Sequence, residues 1–174
     1  MLHQMKFMLI LMMFRNLIFF CSIVLIYSCN RTIDDRFPIV SKFNVSKDQY
    51  NRDTINLEGL SLEGGELIVY HKNSDTLVLD FFLYGETGKL NYTYFTNRNF
   101  EYKFVIKRDY VYNGLITDAD IKIDSTIYFL DNEIIPKLYN ENTVEVNDSK
   151  KVDSIIHEIN HFFKDSAKYI KINK

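Results

Sequence analysis

Hydrophobic positions along this chain fall into stretches of different period. Leu17–Tyr27 reads LIFFCSIVLIY, an apolar run of 11 residues. A membrane span needs roughly 20. From Phe37 to Leu62 the apolar positions follow neither a helical nor a strand period. A short helix around Ser46–Asp53 is expected there, with Ser46 as N-cap, and Gly64-Gly65 breaks the chain after it. From Glu66 onward the period is two. Strands are predicted over 67–72, 76–84, 90–94, 100–107 and 121–130, followed by 133–139, where Pro136 points to an edge strand. Leu77, Leu79, Phe81 and Leu83 share one face, and Ile121, Ile123, Ile127 and Phe129 are in register. Phe100, Tyr102, Phe104 and Ile106 oppose Glu101, Lys103 and Lys107, the pattern of a sheet with one buried and one wet face. Val78, Phe82 and Tyr84 lie opposite Leu77 and Leu79. They signal either a strand buried on both sides or an exposed recognition patch.

The turns are short (Asn73–Asp75, Gly85–Gly88, Asn97–Asn99), which makes sequential strands antiparallel neighbours. The last stretch switches to a period of 3.6. Val152, Ile155, Ile156, Ile159, Phe162, Phe163 and Ile170 form one stripe of a helix capped by Asp148-Ser149 and running to about Ile172. The expected fold is α+β: an antiparallel meander sheet of about six strands with a C-terminal amphipathic helix packed on one face, in a single domain over 37–174.

The N-terminal run stands in a distinct context. The first 28 residues carry Lys6 and Arg15 and no acidic residue. A positive charge, a short apolar core and a small residue make a signal peptide. Its end, Ile26-Tyr27-Ser28-Cys29, resembles the lipobox of bacterial lipoprotein precursors, with Tyr27 bulkier than the usual residue. Cys21 follows Phe20, which is too large for that pattern. The resemblance implies a signal peptide over 1–28, cleavage before Cys29, lipidation of that cysteine and a polar tether over 29–36. Met12 or Met13 would also start a complete signal. The body, from Gly65 to Tyr139, resembles uncharacterised small lipoproteins of Bacteroidota-type bacteria. The likeness rests on Gly-Gly-Glu-Leu before a strand, Tyr-Gly-Glu-Thr-Gly-Lys at a turn and Ile-Tyr-Phe-Leu-Asp-Asn late in the meander. It brings no activity with it.

Composition narrows the function. Loss of the first 28 of 174 residues removes two cations and moves the net charge from −2 to −4. No basic stripe remains, which argues against nucleic acid, whose binding rests on phosphate neutralisation. Of two cysteines, one leaves with the signal peptide and Cys29 takes the lipid, so no thiol is left for a disulfide, metal or nucleophile. With 14 Phe and 12 Tyr, a core can form without cross-links. Tyr92, Tyr94, Phe95, Tyr102, Tyr110 and Tyr112 are expected mostly in that core.

One segment tempts a catalytic reading. His157-Glu158-Ile159-Asn160-His161 matches H-E-x-x-H on a helix, where two histidines one turn apart bind zinc and the glutamate activates water. On the helical wheel, however, His157 and His161 fall opposite the apolar stripe, beside Lys150, Lys164 and Lys168. Only 13 residues follow His161; none is His or Glu, and Asp165 lies on the same helix. His157 and His161 are therefore weak metal candidates on a polar face, and no catalytic residue and no cofactor are expected. Asp118, Asp120 and Asp124 lack the order of a calcium loop. His71 stands single, near a turn. There is no G-x-S-x-G and no phosphate-cradling glycine loop.

The expected function is a lipid-anchored, non-enzymatic binding or interaction module of the cell envelope. It would sit at the outer membrane, facing the periplasm or the cell surface. Its partners would be the membrane, through its N-terminal lipid, and an envelope protein. The alternatives are a metal-dependent hydrolase using the HEINH segment and a structural envelope component.

Overall fold

The computed structural model describes residues 33–61, 63–72, 76–114 and 122–171. The expected signal peptide and Cys29 lie outside them, as do the turn at 73–75 and the acidic loop residues Asp118 and Asp120.

Two short helices open the described chain: α1 (Ile33–Arg36) and α2 (Pro38–Ser46). Pro38 occupies the first position of α2, where its missing N–H costs nothing. A 3-10 turn, Lys47–Gln49, leads into the sheet. The strands are β1 (Asn51–Asn56), β2 (Gly65–His71), β3 (Thr76–Gly85), β4 (Gly88–Asn97), β5 (Tyr102–Tyr112), β6 (Ile123–Asp131) and β7 (Lys137–Asn140). They form one seven-stranded sheet in the order β1-β2-β3-β4-β5-β6-β7, with every pair antiparallel. The chain closes with α3 (Ser149–Lys171). Asp148 caps it, accepting from the Lys151 N–H at 3.2 Å.

The α+β meander with its C-terminal helix is what the sequence pattern predicts. One strand more is present, because Asn51–Asn56 pairs along β2 from Asn51↔His71 to Asn56↔Glu66. The expected helix over 46–53 is displaced: Ser46 ends α2 rather than starting a helix, and its hydroxyl donates back to the Lys42 carbonyl at 2.6 Å. The polar run NRDTIN has little helical preference, and the β2 ladder captures it as an edge strand. Its charges, like Pro136 and Lys137 beside the short edge strand β7, discourage further strand addition. Residues 33–36, expected in the polar tether, form a helical turn whose Arg36 lies 4.4 Å from the Tyr139 ring centroid.

α3 covers one face of the sheet and α2 part of the other, which corrects the expectation of one buried and one wet face. On one face α3 lays Ile155, Ile159 and Ile170 over Leu67, Leu79, Phe81, Tyr92, Tyr94, Val105 and Leu130. Phe162 stacks on Tyr92 at 4.4 Å, and the Tyr94 hydroxyl donates to the Ile159 carbonyl at 2.9 Å. On the other face Phe37, Val40 and Phe43 pack against Ile68, Tyr70, Val78, Phe95, Phe104, Ile106, Phe129 and Tyr139. The strand pairing explains how one chain supplies both cores. Phe95 pairs with Phe104 but Thr96 with Tyr102, so the register shifts and Lys103 is skipped. This bulge puts Tyr102 on the α3 face and Phe104 on the α2 face, whereas strict alternation would have put them together.

Among the described residues, Ser166 Oγ is the buried side-chain polar atom without a hydrogen-bond partner, and Ser166 is fully buried. Ser166→Ala removes an unpaired hydroxyl and raises helix propensity, so it is expected to stabilise the domain by about 1 kcal/mol. A higher urea midpoint at unchanged slope would show this; a lower midpoint would mean that the hydroxyl has a partner.

Candidate binding surface

Cross-strand register arranges the α2 face in rows. Tyr70, Val78, Phe95 and Phe104 form one row, and Ile68, Asp80, Thr93, Ile106, Phe129 and Tyr139 the next. Aromatic contacts place α2 over these two. Phe37 meets Phe104, Phe129 and Tyr139, and Phe43 meets Tyr70 and Phe95. Two further rows lie beyond the helix, toward the β3–β4 hairpin: Glu66–Phe82–Asn91–Arg108–Ile127 and Tyr84–Lys89–Tyr110–Ser125.

A polar network lies where the cover ends, joining the second row to the uncovered third. Asn91 Nδ2 and Thr93 Oγ1 both donate to Asp80 Oδ1 at 2.8 Å. Arg108 Nη1 donates to Asn91 Oδ1 at 2.8 Å and to Thr93 Oγ1 at 3.1 Å. Asn91 and Thr93 are buried, so their polar atoms need these partners. In the uncovered rows, the Lys89 ammonium lies 4.5 Å from the Phe82 ring centroid, 5.6 Å from Tyr84 and 6.0 Å from Tyr110. The exposed Tyr84 hydroxyl donates to Glu66 Oε1 at 2.8 Å. Partial burial and this bond push its pKa up to about 12. Gly88 holds the hairpin tight: a Cβ there would run into the Tyr110 carbonyl. Aromatic rings and a cation beside a preorganised polar network suit a protein interface, where such side chains dominate binding energy.

The HEINH segment is placed differently from a zinc protease site. His157 and His161 are exposed, with ring centroids 6.2 Å apart, and His161 Nδ1 lies 3.1 Å from Asp165. Glu158 turns toward the sheet instead. Its carboxylate receives the Tyr92 hydroxyl at 2.5 Å and the Lys107 ammonium at 3.0 Å. A carboxylate so engaged is held as an ion-pair partner of the sheet. Lys107, expected on a wet face, is buried, and Glu158 is the group that compensates its charge, with Asp109 further off at 3.9 Å. Among the described residues no three His, Cys, Asp or Glu side chains converge as a metal site. Asp124 is exposed on β6, and His71 pairs with Asp53 at 3.0 Å.

On the α3 face, a groove of about 540 Å³ opens beside β1, lined by Asp53, Thr54, Ile55, Val69, Leu77, Phe100 and Ile170. Phe100 stands at φ +60, costly for a bulky side chain, in a loop held by Asn97 Oδ1, which accepts the N–H groups of Asn99 and Glu101.

Sequence reasoning missed Asp80, Lys89, Asn91, Thr93 and Arg108. A signal was present in Leu77–Leu83, where Asp80 interrupts an otherwise apolar strand. A charge at that position needs cross-strand partners. Val78, Phe82 and Tyr84 turn out to serve both roles that the pattern left open: Val78 is buried under α2, Phe82 half-buried at its margin and Tyr84 exposed.

No protein-family model, curated protein or solved structure matches the chain.

Glu158→Ala leaves the Lys107 ammonium buried beside a distant Asp109 and is expected to destabilise the domain. Glu158 is itself half-exposed, so the cost is about 1–3 kcal/mol, below that of a fully buried pair. Chemical denaturation measures it; an unchanged midpoint would mean that Lys107 reaches water.

Alkaline pH gives a second test. Burial raises the pKa values of Tyr92, Tyr94 and Tyr102 above the ordinary value, as it does for Tyr84. Unfolded tyrosines ionise near pH 10. The stability from these groups is therefore fully present below pH 10 and is lost as the pH climbs toward 12 and beyond. Tyrosinate absorbance of the buried set is expected to rise together with loss of circular dichroism. Full ionisation at pH 10–11 with the fold intact would refute this.

Proposed function

We propose that this protein is a lipid-anchored, non-enzymatic binding module of the bacterial cell envelope, attached through Cys29 and presenting the uncovered half of its α2 face to an envelope protein. The observation that carries the binding half is the incomplete cover. One face lies under the 23-residue α3, while α2, with 9 residues, reaches only the lower rows of the other. The remaining rows join a prearranged polar network to Phe82, Tyr84, Tyr110 and Lys89, so little side-chain ordering is left to be lost on association. The anchor half is supported by Ile26-Tyr27-Ser28-Cys29 after a charged and apolar segment. Among the described residues no helix is long and apolar enough to cross a membrane. The engagement of Glu158 by Lys107 and Tyr92 favours binding over hydrolysis as the role of the domain.

Site-directed photo-cross-linking in intact cells tests the proposal, with the intact mass of the purified protein reporting cleavage before Cys29 plus acyl chains. A cross-linker at Tyr84 or Tyr110 is expected to give one discrete adduct. The same probe at Lys150, exposed on α3, gives none. Lys89→Glu should lower the adduct yield at Tyr110 about tenfold, as expected for a hot-spot residue. Equal labelling from all three positions would overturn the assignment of this surface.

A further inference from the structure

We infer that the tip of the β6–β7 hairpin is a membrane-contact element: Ile134 and Ile135 enter the lipid headgroup boundary and hold the domain upright on the bilayer. The inference rests on the lipid-anchored reading above and goes beyond it, because a tether alone fixes no orientation.

The two isoleucines are 92% and 69% exposed and adjacent, in the turn between β6 and β7. Among the described residues they form the one pair of consecutive large hydrophobic side chains so exposed. The turn that carries them is held from behind. Asn132 donates its N–H to the Lys103 carbonyl at 2.8 Å, and Glu133 donates its N–H to Asp131 Oδ1 at 3.2 Å. Pro136 limits the chain on the far side. Apolar side chains on a fixed tip suit an interface that is wet on one side and apolar on the other.

The occupant follows from where the anchored end of the chain emerges. The cleft that Asp131 and Glu133 line, about 380 Å³, is closed on its other side by Arg36, Phe37, Pro38 and Lys42 of the N-terminal helices. Ile33, itself 37% exposed, is the first described residue of that helical segment and stands four positions after Cys29. Four residues extend at most about 14 Å. A lipidated Cys29 therefore keeps the bilayer surface within one short tether of this end of the sheet. Lys42, Lys103 and Lys137 are exposed around the tip, interleaved with Asp131, Glu133 and Glu145. This mixed charge attracts no particular headgroup, so the contact is apolar and should not require anionic lipid.

Topology gives the contact a consequence. The β6–β7 turn and the β3–β4 hairpin lie at opposite ends of the strands, because β3 and β6 run antiparallel through the meander. With the isoleucine tip on the membrane, the rows of Phe82, Asn91, Tyr84, Lys89 and Tyr110 face away from it.

The chain contains no tryptophan, so a single Trp reports its own surroundings. The full-length protein is produced in bacteria as Ile134→Trp, Ile135→Trp and Val111→Trp, purified from membranes and reconstituted in phosphatidylcholine vesicles, with and without bromine-labelled acyl chains. Val111, 57% exposed at the opposite end of β5, is the reference. Blue-shifted emission and quenching by brominated lipid at positions 134 and 135, with neither at 111, is the expected result. Acylated protein that floats with vesicles but keeps water-like, unquenched Trp at 134 and 135 overturns the inference and leaves the anchor standing. A blue shift without quenching overturns it too, in favour of contact between protein molecules. Protein with no acyl mass that fails to float sinks the anchor and this inference together.

Discussion

The structure depends on one constraint: the central strands carry large apolar side chains on both faces. Along β3, Leu79 and Phe81 point one way and Val78 and Phe82 the other; β5 does the same with Val105 against Phe104 and Ile106. A sheet of this kind cannot leave a face bare without exposing aromatic surface to water. It therefore needs a layer on each side, and the chain supplies one from each end. The long α3 covers its face with Ile155, Ile159 and Phe162, while α2 and the residue before it cover part of the other with Phe37, Val40 and Phe43. The inequality of the two covers creates the candidate surface.

Where cover ends, polar chemistry takes over. On the α2 face the change occurs across one row, from Ile106 and Phe129 to Asn91 and Arg108, and Asp80 gathers the donors of Asn91 and Thr93 at that boundary. On the α3 face the corresponding boundary holds Lys107, whose charge is matched by Glu158 from the helix. That pairing also ties the helix to β5 at one position along its length, which apolar contacts alone specify loosely. Asp80, Asn91, Thr93 and Arg108 on one face and Lys107 with Glu158 on the other thus mark the margins of the two cores, and each has its partner on another strand or on the helix.

The proposed anchor, the apolar tip and the open surface at the far end of the strands form one arrangement. The described chain begins beside Tyr139 and the β6–β7 turn. The aromatic rows stand at the opposite end, beside the β3–β4 hairpin. On that proposal, a module tied at one end and open at the other reaches a partner without competing with the membrane for contact.

Much of this was legible in the sequence. Period-two alternation located the strands from β2 to β6, short turns made them antiparallel neighbours, and the stripe from Val152 to Ile170 defined α3 and its buried side. These features are local: each depends on side chains a few residues apart and on backbone geometry common to all chains. Tertiary structure decided what depends on partners distant in sequence. Ser46 became the end of a helix and Asn51–Asn56 a strand because β2, beyond the Gly64-Gly65 break, offers an open ladder. Tyr102 and Phe104 parted to opposite faces because β4 and β5 are bulged at Thr96, a property of the pair rather than of either strand. Lys107 and Glu158 are 51 positions apart, and neither residue alone reveals the other. The same holds for the candidate surface, which exists because α2 is too short to cover the rows that cross-strand register brings together.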